Sequence, residues 1–385
     1  MKLLPLSLVV VACASATVPD GGAAEADFED VSSARLEVPA GHPAMDARPA
    51  DVDDDGDLDL FLAGEFAPNL LLINEGGRLV HDPNRLPATG RDSEDIATAD
   101  FDGDGDLDVL FVSEDDQVNE LFLNDGSGSF TLAPSFPVTG TSNAVLASDL
   151  TGDGVADVLI GNAGQNVFLR GDGTGGFVDE TDDRLPADLR VTQDLELGDV
   201  DGDGDVDLFV ANENGSRLLI NDGTGRWEDE TDARLPAVTA NRETREGDFG
   251  DIDGDGDLDL MLANVIFSNP SGNAGNLVLR NDGDGVFEDV TASALPSASE
   301  QSVDVDLTDL DGDGDLDLLV GNFLSQDRAY RNDGNGTFTA EPPLLPSLPS
   351  RDGLDFEVAD FDQDGRPEIY VANRGQADRL FAPGS

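Results

Sequence analysis

Residues 99–113 read ADFDGDGDLDVLFVS, and the nonapeptide within them, residues 100–108, decides the fold. It has the form D-x-D-x-D-G-x-x-D followed by an apolar run, and the chain writes it seven times, starting at Asp51, Asp100, Asp149, Asp199, Asp251, Asp309 and Asp360. Successive starts lie 49, 49, 50, 52, 58 and 51 residues apart. Self-similarity at such a period marks a repeat architecture, in which each unit buries its apolar face only by stacking on its neighbours. The 385 residues therefore read as one body of seven units rather than two or three unrelated domains.

Around the second nonapeptide, residues 95–99 form a first strand, 109–113 a β-branched and apolar second strand, and 121–123 a third. Asn124 to Gly128 is a turn, and Phe130 opens a fourth strand. Asn-Asp-Gly turns supply residues tolerant of positive φ, and equivalents stand at 221–225, 281–285 and 332–336. With no credible helix, seven such units make an all-β fold, a seven-bladed β-propeller of four-stranded antiparallel blades spanning 27–385. The last unit offers only three strands, ending with 378–381. The fragment Phe28-Glu29-Asp30-Val31-Ser32 recurs as Phe287-Glu288-Asp289-Val290-Thr291, the fourth strand of another unit, so the N-terminal strand is expected to complete the last blade and close the ring.

Acidic residues number 82 against 21 basic ones, a formal charge of -61. That balance excludes nucleic acid and anionic lipid surfaces as partners, since both need basic clusters, and it favours bound cations. Regular apolar runs within the 38% hydrophobic content argue against disorder. Residues 1–13 (MKLLPLSLVVVAC) have one lysine and an apolar stretch too short to span a bilayer, as in a secretory signal. Val10-Val11-Ala12-Cys13 resembles a lipobox, making Cys13 a candidate lipidation site, while Ala14-Ser15-Ala16 offers ordinary cleavage as the alternative. Residues 14–26 read as a flexible tether. The expected location is extracytoplasmic, either anchored in the cell envelope or secreted, as a monomer touching a membrane only through a lipid.

Carboxylates at positions 1, 3 and 5 of each nonapeptide converge if the backbone turns sharply, which glycine at position 6 permits. Position 9 returns another carboxylate, and the position 7 carbonyl completes an all-oxygen shell that selects Ca²⁺. Five loops carry the full set. They are Asp51, Asp53, Asp55, Asp57 and Asp59; Asp100, Asp102, Asp104, Asp106 and Asp108; Asp199, Asp201, Asp203, Asp205 and Asp207; Asp251, Asp253, Asp255, Asp257 and Asp259; and Asp309, Asp311, Asp313, Asp315 and Asp317. The third loop has Asp149, Thr151, Asp153, Val155 and Asp157, and the seventh has Asp360, Asp362, Asp364, Arg366 and Glu368. Fewer charges make these two weaker, so up to seven calcium sites are expected, five of them strong. Position 12 falls in a strand, which excludes an EF-hand.

The units resemble FG-GAP or VCBS-type repeats, the family that includes the calcium-binding blades of integrin α-chain propellers, and the NDGxGxFxDxT turns resemble the repeats of cartilage acidic proteins. The FG-GAP string itself is not written out. The resemblance implies fold and metal, and little about ligand.

A propeller's first strand descends, so the metal loops and Asn-Asp-Gly turns lie on the lower face. The interblade connections and the links between second and third strands lie above. Asp46, Asp95, Asp194, Glu246, Asp304 and Asp355 each stand five residues before a loop, with Ala144 the exception, and are expected to ring the upper channel as a ligand site. Arg85, Arg91, Arg184, Arg190, Arg234, Arg242, Arg245 and Arg351 fall in interblade connections, where they either pair with acids or serve a site for a cation, an amine or a polar glycan. The excursion 264–276, with Val265, Ile266 and Phe267, either packs on a neighbouring blade or contacts a partner. Arg170-Gly171-Asp172 is explained by turn chemistry. The leading expectation is a non-catalytic surface module for adhesion to a glycan or protein. A propeller-type polysaccharide lyase or hydrolase stays open, although His42 and His81 sit in no recognisable catalytic setting, as does a structural scaffold.

Overall fold

The strands form where apolar runs follow the loops, and in the computed structural model they assemble into seven radial sheets of a β-propeller. It describes residues 28–268, 274–296, 300–340, 345, 353–374 and 376–384. The signal with Cys13, the tether, Arg351 and part of the 264–276 excursion lie outside them. In the second blade Ser93–Ala99 pairs with Asp108–Ser113, which pairs with Glu120–Asn124, which pairs with Phe130–Leu132, all antiparallel. Second strands are buried along their whole length, as in Asp108–Ser113, Asp207–Asn212 and Asp317–Asn322. Both faces of each sheet are covered by neighbouring blades, which is why these strands read as continuous apolar runs instead of alternating.

Blades meet through large side chains. Between the first and second, Phe61 packs edge-on to Phe111 and Phe130 at 6.1 and 5.3 Å, and within the second Phe111 packs edge-on to Phe122 at 6.0 Å. Such pairs each add about 0.5–1.5 kcal/mol beyond burial.

Ring closure follows the expectation. Phe28–Asp30 pairs antiparallel with Arg379–Pro383, Phe28 facing Pro383, and buries Phe28 beside Phe356 and Phe381. The chain then continues further than expected. After a helical turn at Ser32–Arg35, Leu36–Glu37 pairs parallel with Leu79–His81 as a fifth strand on the first blade. One segment thus stitches the last blade to the first.

Helix is not absent, contrary to the sequence reading. Thr181–Arg184, Thr231–Arg234 and Thr291–Ala294 each form a single turn after a fourth strand. Asp179 accepts the Thr181 N–H, and the Thr181 hydroxyl accepts the Phe168 N–H at 3.0 Å. One turn is too short to leave a helical period in a sequence. Among the described residues no helix is long and apolar enough to cross a membrane.

Each inner strand shifts register by one residue near its upper end: between Ala44 and Asp46, Ser142 and Ala144, Thr192 and Asp194, Thr244 and Glu246, Ser302 and Asp304, and Gly353 and Asp355. The second blade has the same bulge: Ser113 faces Ser93 and Val112 faces Asp95, which leaves Glu94 as the extra residue of the inner strand. A bulge re-aims the extra residue, here toward the propeller axis.

Candidate metal loops and binding face

The nonapeptides turn as expected, with more backbone bonding than the sequence suggested. Asp100 accepts Gly103 N–H at 2.7 Å and Gly105 N–H at 3.1 Å. Position 4 as well as position 6 is left-handed, at φ 77° for Gly103 and 103° for Gly105. Where position 4 is not glycine, Asp54 and Gln363 take φ 59° and 57°, a strained choice. The position 9 carboxylate has a double role. Asp108 accepts the Phe101 N–H at 3.0 Å and the Asn124 N–H at 2.8 Å, tying the loop to the Asn-Asp-Gly turn. Burial raises Asp59, Asp207, Asp259 and Asp317 to about 7 and Asp108 to about 6.

The donor set suits a hard cation. Three carboxylates lie within 4.8 Å of one another in Asp51, Asp53 and Asp59; Asp100, Asp102 and Asp108; Asp199, Asp201 and Asp203; and Asp251, Asp253 and Asp255. One oxygen each of Asp51, Asp53, Asp201 and Asp253 is buried without a hydrogen-bond partner. A buried carboxylate oxygen without a partner is costly unless a cation meets it. Position 5 residues Asp55, Asp104, Asp153, Asp203, Asp255, Asp313 and Asp364 each accept the N–H of position 7, which fixes that residue's orientation.

Arginines temper several loops, a feature the sequence reading missed. Position 3 pairs with Arg85 at Asp53 (3.7 Å), Arg234 at Asp201 (3.1 Å), Arg280 at Asp253 (3.2 Å) and Arg331 at Asp311. In the seventh loop Arg35 bridges Asp362 at 3.0 Å and Glu368 at 2.8 Å, so that loop carries a cation of its own, while Arg366 pairs with Asp364. Arg85, Arg184 and Arg234 are therefore not upper-face residues. They reach down to the carbonyls of Ser127, Gly225 and Asp284 in the next blade's lower turn. The three-residue fourth strands before Arg184 and Arg234 end low enough for that reach.

The acid ring is largely a structural device. A propeller's inner strands turn their unpaired edges to the axis. Asp95 accepts Val145 N–H at 2.6 Å, Asp194 accepts Gly247 N–H at 3.0 Å, and Asp355 accepts Ala47 N–H at 3.0 Å, each on the next blade. Asp46, Asp95, Asp194, Glu246 and Asp355 do line an upper pit, but Asp304 is 1% exposed and tucked beside Gly321 and Phe356. A second tier that the sequence reading passed over stands three residues before the loops: Arg48, Glu196, Asp248, Asp306 and Glu357. Asp248 accepts the Leu307 N–H at 2.6 Å. Burial raises Asp95 to about 6 and Asp194, Asp306 and Asp355 to about 7, and Glu196, Asp248 and Glu357 well above the usual range.

The pit holds about 330 Å³. Its wall above the acids is made by the residue preceding each acid register: Met45, Glu94, Asn143, Gln193, Arg245, Val303 and Leu354, one per blade. Apolar members come from the sixth, seventh and first blades and polar ones from the second to fifth, so the pit has two unlike sides. Phe267 stands over the pit at 40% exposure, edge-on to Phe323 at 4.7 Å, with the Arg245 guanidinium 5.1 Å from its ring. Of the 264–276 excursion, Val265 is thus buried and Phe267 open. Phe66 and Leu324, both 65% exposed, sit on the same face at φ 50° and 59°.

Other upper arginines pair locally: Arg91 with Asp116 and Glu120, Arg190 with Asp188, and Arg245 with Glu243. Arg242 donates to the Val238 carbonyl. Arg170 of the RGD tripeptide pairs with Glu180, and Asp172 accepts the Thr174 and Gly176 N–H groups, as turn chemistry requires. His42 meets the Pro68 carbonyl at 2.9 Å. A larger hollow of about 500 Å³ lies at the closure seam, where Asp30 pairs with Arg379 and Asp378 accepts the Asn373 N–H.

Comparison with known proteins agrees with this geometry. The FG-GAP-like repeat model matches residues 51–111, 100–160, 149–210, 199–262, 263–320 and 309–371. Human cartilage acidic protein 1 is 33% identical over 119 residues, a stretch that is 28% of this chain and 18% of that protein. Among solved structures, an Agrocybe aegerita lectin described as recognising non-reducing terminal N-acetylglucosamine has TM-score 0.54 and 19% identity, covering 88% of this chain and 87% of its own. YCF48 bound to D1 peptide has TM-score 0.56 and 13% identity, covering 91% and 96%. BBS1N in complex with ARL6DN has TM-score 0.52 and 10% identity, covering 94% and 98%. At these identities the structures share the fold alone.

Proposed function

Because the chain belongs to the FG-GAP-like repeat family, we propose that it is a calcium-stabilised propeller working as a non-catalytic binding module, with its lower face given to metal and its upper face to a glycan or protein ligand. The observation that carries this reading is the upper pit. Seven bulged inner strands each turn one side chain toward the axis, and those seven side chains differ while the surrounding framework repeats. Repetition serves stability; variation at one register serves recognition. The neighbours that share the fold are described with a glycan, a peptide and a protein, which suits a binding role without choosing among them. In the same proposal the chain is exported and held by a lipid on Cys13. The fourth-strand position of Phe28–Asp30 starts the folded body at the lower face, so a tether there leaves the pit facing outward.

A glycan and protein binding screen in calcium and in excess chelator tests this. The expected result is a ligand whose binding is lost on Arg245→Ala or Phe267→Ala with the melting temperature unchanged. Binding indifferent to both substitutions would move the site elsewhere, and turnover of a polysaccharide in the screen would favour the lyase or hydrolase alternative.

A further inference from the structure

We propose that the upper face carries a metal site of its own, apart from the repeat loops: a calcium-sized hard cation held by Asp92, Glu114 and Asp115 where the first blade leads into the second. One carboxylate oxygen from each lies within 4.8 Å of the others, the same closeness as in the nonapeptide loops. Two oxygens on opposite sides of one Ca²⁺, at about 2.3–2.6 Å each, stand about 4.6–5.2 Å apart, so a single ion spans all three.

Closeness of acids alone would not make a site. Asp92 is only 3% exposed, and although its Oδ2 accepts the Asp115 N–H at 3.2 Å, its Oδ1 is buried with no hydrogen-bond partner. The Asp92 carbonyl also accepts the Glu114 N–H at 3.0 Å, so the backbone locks the three residues together before any ion arrives.

The floor of this corner departs from that of the third to sixth blades. In those four a hydroxyl near the start of the inner strand bonds to an asparagine ending the second strand: Ser142 to Asn162 at 2.8 Å, Thr192 to Asn212 at 3.0 Å, Thr244 to Asn264 at 3.0 Å and Ser302 to Asn322 at 2.8 Å. In the second blade the pair is Ser93 and Ser113, both fully buried, and neither hydroxyl has a partner. The regular polar knot is therefore missing beside the carboxylate left with a free oxygen. The adjacent guanidinium of Arg91 turns to Asp116 and Glu120, so it does not serve Asp92. Oxygen donors alone select a hard cation over zinc or copper.

Asp115 is exposed and Glu114 lines the pit, which sets the ion at the pit's rim with coordination positions left for water or for an oxygen of a bound ligand. The site stands independently of whether the repeat loops hold calcium.

Crystals soaked in terbium(III) chloride and read by anomalous scattering test it. The expected result is a peak within coordination distance of Asp92, Glu114 and Asp115 that disappears in Asp115→Ala, an exposed position whose loss leaves the fold intact, and in Asp92→Asn. In solution, calorimetry with calcium chloride should lose one bound ion per chain in either variant. No peak beside Asp92 overturns the proposal whatever the loops show, as does a peak that survives Asp115→Ala. A peak there with none in the loops would uphold it and count against calcium in the repeats.

Discussion

Asn281 shows how much one repeated side chain carries. Its Nδ2 donates to the Val200 carbonyl of the preceding blade at 2.7 Å and to Leu258 at 3.1 Å, and its Oδ1 accepts from Gly283 and Gly285. Asn124 and Asn332 repeat the interblade bond to Val52 and Ile252. The Asn-Asp-Gly turns do supply positive φ, as the sequence suggests, but through their glycines, such as Gly283 at 84°; the asparagines serve as hydrogen-bonding hubs instead. Asn281→Ala leaves buried carbonyls unpaired and should cost about 1–3 kcal/mol in urea unfolding. Among the channel acids, Asp194 has its carboxyl raised to about 7 by burial. The folded state then binds a proton that the unfolded chain, titrating near 4, has released, so its contribution to stability falls as pH rises from about 4 to about 7. Asp194→Asn keeps an acceptor for Gly247 without the charge. Its melting temperature should gain on that of the wild type between pH 5 and pH 8, whereas parallel curves would show that Asp194 is not held protonated.

At the scale of elements, the strands, the loops and the ring closure were legible because their signals are local: a β-branched run, an alternating carboxylate string, a fourth-strand fragment displaced to Phe28. The bulges were not, because a one-residue register shift changes no residue type; it only redirects Gln193 or Arg245 toward the axis. Arg35 in the seventh loop was hidden for the opposite reason, since its partners Asp362 and Glu368 are distant in sequence and meet it only after closure. Deleting residues 28–37 tests the closing segment. It removes a buried Phe28 and opens the edge of Arg379–Pro383. The expected loss is at least about 3 kcal/mol, with concentration-dependent self-association through the freed edge in light scattering. An unchanged urea midpoint would show that the ring does not depend on this strand.

For the whole molecule, the charge of -61 and the two faces are one problem. Acids gather at the lower loops and around the axis, and a ring so charged repels itself unless cations, protons or guanidinium groups compensate. The axis uses protons and backbone N–H groups, the seventh loop uses Arg35, four other loops place an arginine beside position 3, and the proposed calcium supplies the rest. Each site filled at 100-fold over its dissociation constant adds about 2.7 kcal/mol, so several together would dominate stability. The most direct measurement is thermal unfolding of the full chain in millimolar calcium, in magnesium and in excess chelator. If calcium fills the loops, the melting temperature falls steeply on chelation and is restored by calcium far better than by magnesium; identical melting curves in calcium and chelator would show that the fold does not depend on metal.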